Sequence, residues 1–121
     1  MIRELIVKKM KDKEISVGEI SHHAGLPRSS VGRYIHGQRD ISGDRASKLM
    51  FALGIKVGGK IALDLRNTIR AVVAKHPESL RQQAAFCNVN ARVFSHYVEG
   101  KRDSATTIID KMLAGLKIKL G

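Results

Sequence analysis

Few of this chain's reactive side chains stand in a pattern that could do covalent chemistry. Gly54-Ile55-Lys56-Val57-Gly58-Gly59-Lys60 matches the opening of a phosphate-cradling loop, but Ile61 stands where Ser or Thr must hold magnesium. A helical pattern precedes it where a strand is required. Five histidines, His22, His23, His36, His76 and His96, lack regular ligand spacing, and adjacent His22 and His23 point to different faces of a helix. Cys87 is the only thiol, so no internal disulfide can form, which suits a reducing cytoplasm. No Ser/His/Asp set or carboxylate pair stands out, so the expectation is a protein that is not an enzyme and needs no metal or cofactor. What remains is charge. The net charge is +11, with twelve Lys+Arg against six Asp+Glu in residues 1–60 and ten against five in residues 61–121. A cationic surplus in both halves points to a polyanion, with nucleic acid the first candidate.

The elements that carry these charges repeat. Tyr34-Ile35-His36-Gly37-Gln38-Arg39-Asp40 returns as Tyr97-Val98-Glu99-Gly100-Lys101-Arg102-Asp103, 63 residues later. At the same offset Ser16 pairs with Ser79, Leu26 with Val89, Val31 with Phe94, Lys48 with Lys111 and Leu53 with Leu116; Ile55-Lys56-Val57 pairs with Ile118-Lys119-Leu120. Apolar character persists where helical spacing would bury it, the mark of duplication followed by divergence. Residues 1–57 form a first unit, 58–60 a Gly-Gly junction and 61–121 a second unit, each near the lower size limit for a core of its own.

Within the first unit the spacing predicts helices over about 2–12, 17–24, 28–36 and 42–53. Ser16 and Glu19 make a capping box, Gly25 suits a left-handed cap, Pro27 suits a helix start and Ser42 opens the fourth helix. The second unit reads as helices over about 62–75, from Ser79, over 91–99 and over 105–116. Asn88-Val89-Asn90 makes its turn, with Asn90 an N-cap. Tyr34 and Tyr97 read as core residues whose hydroxyls reach the surface, and Cys87 as a small buried residue. The junction, Ile55 to Leu63, has alternating arms around Gly58-Gly59 and reads either as a β-hairpin or as a flexible linker. If the hairpin forms, Ile118-Lys119-Leu120 can pair with it, within the chain or across a dimer.

In both units the second and third helices are short and joined by a tight turn. The run from Ile20 to Asp40 resembles the helix-turn-helix of the Cro and phage-repressor family through Ile20, Ser21, Gly25, Leu26, Val31 and Gly37-Gln38-Arg39. The second unit matches with Ala84, Val89, Phe94 and Gly100-Lys101-Arg102, and departs with Gln83 at the apolar position and Asn88 at the turn glycine. The first departs with Pro27 in place of the usual Ser/Thr cap. The resemblance covers nearly the whole chain. It implies an all-α fold of two tandem units of four to five helices, with a short hairpin at the junction as the open alternative.

It also implies duplex DNA as the partner, and a transcriptional regulator, a repressor of the phage or mobile-element type. The third helix would enter the major groove. Base-reading positions would be Arg28, Ser29, Gly32 and Arg33, then Asn90, Ala91, Arg92, Ser95 and His96. Phosphate contacts would come from Ser16, Gln38, Arg39 and Arg45, then Ser79, Arg81, Lys101 and Arg102. Arg39-Asp40 and Arg102-Asp103 read equally well as local ion pairs or caps for the fourth helix. The two units would act as a covalent pseudo-dimer, or the chain would dimerise through one of them. No small-molecule effector segment and no ~20-residue apolar span is evident, and the place of action is the cytoplasm, at the nucleoid. A protein-binding adaptor built on the same fold, such as a phage inhibitor of a host system, is the reading from another class, and structured RNA a third.

Overall fold

The computed structural model describes residues 1–61 and 64–121. Its elements are α1 (Ile2–Asp12), α2 (Val17–Ala24), α3 (Arg28–Ile35), α4 (Gly43–Ala52), β1 (Lys56–Val57), β2 (Lys60–Ile61), α5 (Leu65–Lys75), α6 (Leu80–Phe86), α7 (Ala91–Val98) and α8 (Thr106–Gly115). The fold is mostly helical with one two-stranded antiparallel hairpin. Local chemistry sets the helix starts. The Ser16 and Ser79 hydroxyls accept from the backbone N–H groups of Glu19 and Gln82, whose side chains reach back to complete two capping boxes. Asn90 caps α7 and Asp64 caps α5. The fifth helix, read from the sequence as starting near 62, begins at Leu65; Ala62 and Leu63 lie outside the described residues.

The two halves share one apolar cluster. Ile2, Ile6 and Met10 of α1, Val31 and Tyr34 of α3, and Leu49 and Met50 of α4 join Leu65 and Ile69 of α5, Phe94 and Tyr97 of α7, and Ile109, Met112 and Leu113 of α8. Helix α1 packs on α8, and α4 packs on both α5 and α8. Units of about sixty residues are marginal alone, and sharing one core buries more surface than two separate cores would. The tyrosines sit deeper than the sequence suggested. Tyr34 is 2% exposed, and its hydroxyl donates to Thr106 Oγ1 at 3.1 Å inside the core instead of reaching solvent. Burial pushes that phenol far up from its ordinary pKa. Tyr97 is equally buried, beneath the Arg66 guanidinium at 4.8 Å from its ring centre.

The seam between the halves obeys a two-fold relation. Ser42 bridges Ala105, its own counterpart in the repeat, with Gly43 N–H donating to Ser104 O at 2.8 Å and Thr106 N–H to Ile41 O at 3.1 Å. Val57 bridges Leu120, again its counterpart, with Gly58 N–H donating to Lys119 O and Gly121 N–H to Lys56 O. A residue meets its own copy only on a symmetry axis, so one pseudo-dyad passes through both bridges. The junction itself is the hairpin: Gly58 and Gly59 have φ of +63° and +87°, the left-handed pair that a two-residue turn between twisted strands requires. The C-terminal residues pair with β1 from within the chain.

Side chains repeat the exchange. Asp40 accepts hydrogen bonds from the backbone N–H and hydroxyl of both Thr106 and Thr107, and so caps α8 of the other half. Its counterpart Asp103 accepts from Asp44 N–H at 3.1 Å and holds the start of α4. Asp110 Oδ1 accepts from Ile2 N–H, and the equivalent Ser47 Oγ accepts from Leu65 N–H. The caps expected of the Arg-Asp segments therefore exist, but each serves the opposite unit.

Candidate nucleic-acid interface

The same backbone turn joins α2 to α3 and α6 to α7. Gly25 is left-handed at φ +68°, and Asn88, its counterpart, at +54°. Leu26 N–H then donates to Ser21 O, and Val89 N–H to Ala84 O, both at 3.0 Å. Asparagine adopts this conformation at lower cost than other residues with a side chain, so the turn survives the loss of glycine. Gln83, which replaces Ile20 in the second unit, is 1% exposed; its Nε2 donates to Glu78 O at 2.9 Å and Val73 O at 3.4 Å, while its buried Oε1 has no partner among the described residues, so the amide is only half satisfied there.

On α3, Arg28, Ser29 and Arg33 are exposed. The Arg28 guanidinium folds back over the first turn of α2, with Cζ 3.6 Å from where a Cβ on Gly18 would stand. A Cβ added at Gly32 would meet only Val17 Cγ1 at 3.8 Å, an ordinary contact. The fold does not demand glycine there, although glycine costs a helix about 1 kcal/mol relative to alanine. Gly32 is thus a gap in the outer surface of α3. On α7, Ala91 and Arg92 are exposed and Ser95 and His96 half-buried. Two of the polar groups expected to read bases are already engaged. Asn90 Oδ1 accepts from Arg92 N–H at 2.9 Å and Val93 N–H at 3.3 Å, and the Ser95 hydroxyl donates to Arg92 O. Val93 was not singled out by the sequence. It is 40% exposed on the same helix; the signal was its alignment with polar Ser30 in the repeat.

The third helices border two clefts that meet at the pseudo-dyad. One is lined by Ser30, Arg33, Arg39, Ser42 and Arg45, the other by Arg92, Val93, His96 and Arg102, and Asp103 and Ser104 border both. Three expected contacts of the first unit, Arg33, Arg39 and Arg45, are thereby brought together. Arg92, His96 and Arg102 are brought together in the second. The carboxylates in these clefts are occupied: hydrogen bonds from Thr106 and Thr107 outweigh the effect of burial and hold Asp40 below its ordinary pKa. Among the described residues, Arg28, Arg33, Arg39, Arg45, Arg92 and Arg102 make no ion pair. Arg66 and Arg70 differ, donating to Arg102 O and Val98 O and so holding the end of α7 from behind.

The remaining expected phosphate contacts are dispersed. Gln38 lines a neighbouring cleft with Arg3 and Thr107. Lys101 pairs with Glu99 at 2.9 Å, an exposed bridge that an incoming anion can displace at small cost. Ser16 and Ser79 are committed to their capping boxes. At α2 the box partner is Glu19, held below its ordinary pKa by the Ser16 N–H and therefore anionic at neutral pH. At α6 it is neutral Gln82. Arg81, beside the start of α6, is exposed.

Cys87 is buried against α8, its thiol pushed up by burial, and the described residues hold no cluster of three metal-ligating side chains. No described helix is long and apolar enough to cross a membrane. The Gly-Gly-Lys segment is the hairpin turn and its second strand. No family model, curated protein or solved structure matches the chain.

Proposed function

We propose that the chain is a sequence-specific double-stranded DNA-binding transcriptional regulator, a repressor in which two tandem helix-turn-helix units act as a covalent pseudo-dimer. The observation that carries this reading is the position of α3 and α7 about the pseudo-dyad. Both helices border clefts at the Ser42–Ala105 end of the axis, and those clefts hold arginines without carboxylate partners. A duplex has local two-fold symmetry, so a protein whose reading helices flank an axis at one end can lay both into successive major grooves, about one turn (~34 Å) apart. Arg28 and Arg33 would take guanine edges, Gly32 would admit the backbone close to the bases, and Arg39, Arg45, Arg92 and Arg102 would neutralise phosphates. The two faces differ in sequence, so the half-sites would differ too. Occupying the operator would exclude polymerase, with no effector, metal or cofactor required.

The test is selection from a random duplex pool at ~150 mM salt, because phosphate contacts alone bind any DNA when salt is low. Two dissimilar half-sites about ten base pairs apart are expected. Binding without enrichment that vanishes as salt rises would overturn the reading. One observation favours the protein-binding alternative: Ala91 and Val93, both in the first turn of α7, are exposed apolar residues that a partner could cover. That reading gains if the selection fails.

A further inference from the structure

Val93 has no role in the fold that accounts for its type. It lies in the first turn of α7, three residues after the cap Asn90, and its backbone N–H, not its side chain, is what the cap uses. The side chain is 40% exposed and stands outside the apolar core, whereas Phe94, Tyr97 and Val98 of the same helix are buried. Valine is a weaker helix former than alanine because the preceding turn restricts its χ1, so an outward valine here gives up helix stability without burial in return. Its surroundings define what could cover it. Val93 lines a cleft with Arg92, His96, Arg102, Asp103 and Ser104. The Asp103 carboxylate is taken up by Asp44 N–H, Ser104 N–H and Arg66, so two methyl groups are presented beside the Arg92 and Arg102 guanidinium groups, which have no carboxylate partner among the described residues. An apolar protein surface would leave those arginines facing it unpaired. A surface that is anionic overall with isolated apolar points fits both features, and the thymine C5-methyl in the major groove is such a point.

We propose that Val93 is a specificity-determining residue whose isopropyl group packs on a thymine C5-methyl in the half-site beneath α7. The inference rests on the DNA-binding reading and names part of what that reading recognises. In the first unit the equivalent position is Ser30, which lines the matching cleft with Arg33, Arg39 and Arg45 and offers a hydroxyl instead. The stiff β-branched side chain of Val93 loses little freedom on contact, which suits it to register the presence or absence of one methyl group.

The experiment uses the full chain and the duplex it selects. Each thymine is replaced in turn by deoxyuridine, which removes only the C5-methyl and leaves the hydrogen-bonding edge intact, and affinity is measured at ~150 mM salt. One replacement in the α7 half-site should weaken wild-type binding about fourfold, roughly what burying one methyl group is worth. Val93→Ser should bind the thymine and deoxyuridine duplexes alike, while Arg33→Ala should retain the discrimination. Circular dichroism of Val93→Ser should match wild type, since the side chain supports no core contact. Three results overturn the proposal while leaving DNA binding intact: an α7 half-site without thymine, uniform tolerance of deoxyuridine, or a penalty that persists in Val93→Ser. A pool that yields no preferred sequence removes the DNA-binding reading itself, and the proposal with it.

Discussion

Asp40 reaches across the pseudo-dyad and should stabilise the fold more than its counterpart Asp103. Its carboxylate receives the N–H groups of Thr106 and Thr107 at 3.2 Å each, the Thr107 hydroxyl at 2.9 Å and the Thr106 hydroxyl. Replacement by alanine removes an N-cap, worth about 1 kcal/mol. It also strands the Thr106 hydroxyl, which is 2% exposed and already accepts from Tyr34, so its hydrogen has no second acceptor; an unmade buried bond costs about 1–3 kcal/mol. Thr106 N–H keeps Ile41 O, and exposed Thr107 turns to water. Asp40→Ala should therefore lose about 2–4 kcal/mol. Asp103 caps Asp44 N–H and Ser104 N–H at exposed positions where water can substitute, and pairs with Arg66 at 3.8 Å, so Asp103→Ala should lose about 1–2 kcal/mol. Asp40→Asn keeps one acceptor for Thr106 but turns an amide donor toward Thr107, and should fall between. The pH dependence has a definite sign. Asp40 is held below its unfolded pKa of about 3.9, so its contribution is complete above that value and declines as pH falls through the folded pKa. Urea unfolding followed by circular dichroism, from pH 7 down to the lowest pH with a cooperative transition, measures all of this. Equal losses for the two aspartates, or an Asp40→Ala deficit that does not narrow below about pH 4, would refute the reasoning.

Three other outcomes follow from the same contacts. Gly115→Ala should destabilise by about 1–3 kcal/mol, because the new Cβ would stand 2.6 Å from Cys87 Cα and 2.9 Å from its backbone nitrogen, neither of which can swing aside; a thermal melt within error of wild type would contradict this. Cys87, buried and with its thiol pushed up, should react with a thiol reagent only as fast as the protein opens, so urea should accelerate labelling steeply. Rapid labelling in native buffer would show the site to be open. On selected DNA, Arg33→Ala should relax sequence preference, while Arg39→Ala should weaken all sequences alike and reduce the salt slope by about one; equal, sequence-blind losses from both would remove Arg33 as a base reader.

Several local features were readable because they depend on neighbours a few residues away. The Ser16–Glu19 capping box, the Asn90 N-cap, the left-handed Gly25 and Asn88 and most helix spans arise from short-range hydrogen bonds and backbone sterics. The repeat was readable because Tyr34 and Tyr97 answer the same packing demand. Exposure was harder to read. Nothing in the sequence reading singled out Val93, and the Tyr34 hydroxyl, expected at the surface, ends on Thr106, seventy-two positions away. Asn90 was legible as a cap, whereas Ser95 was legible as polar but not as occupied, since its partner is a backbone carbonyl that only the folded helix presents.

By itself, the sequence determined a repeated helical pattern, the turn chemistry within each copy and a cationic surplus in both, because these follow from composition, periodicity and local sterics. Only the tertiary structure decided that the copies share one core about a pseudo-dyad, that each unit's aspartate caps the other's last helix, and that the unpaired arginines of both gather at one end of the axis. The physical reason is that symmetry and burial are relations between segments far apart in the chain. Whether an Asp is a cap or a partner for Arg, and whether a valine is core or surface, depends on which distant backbone closes over it.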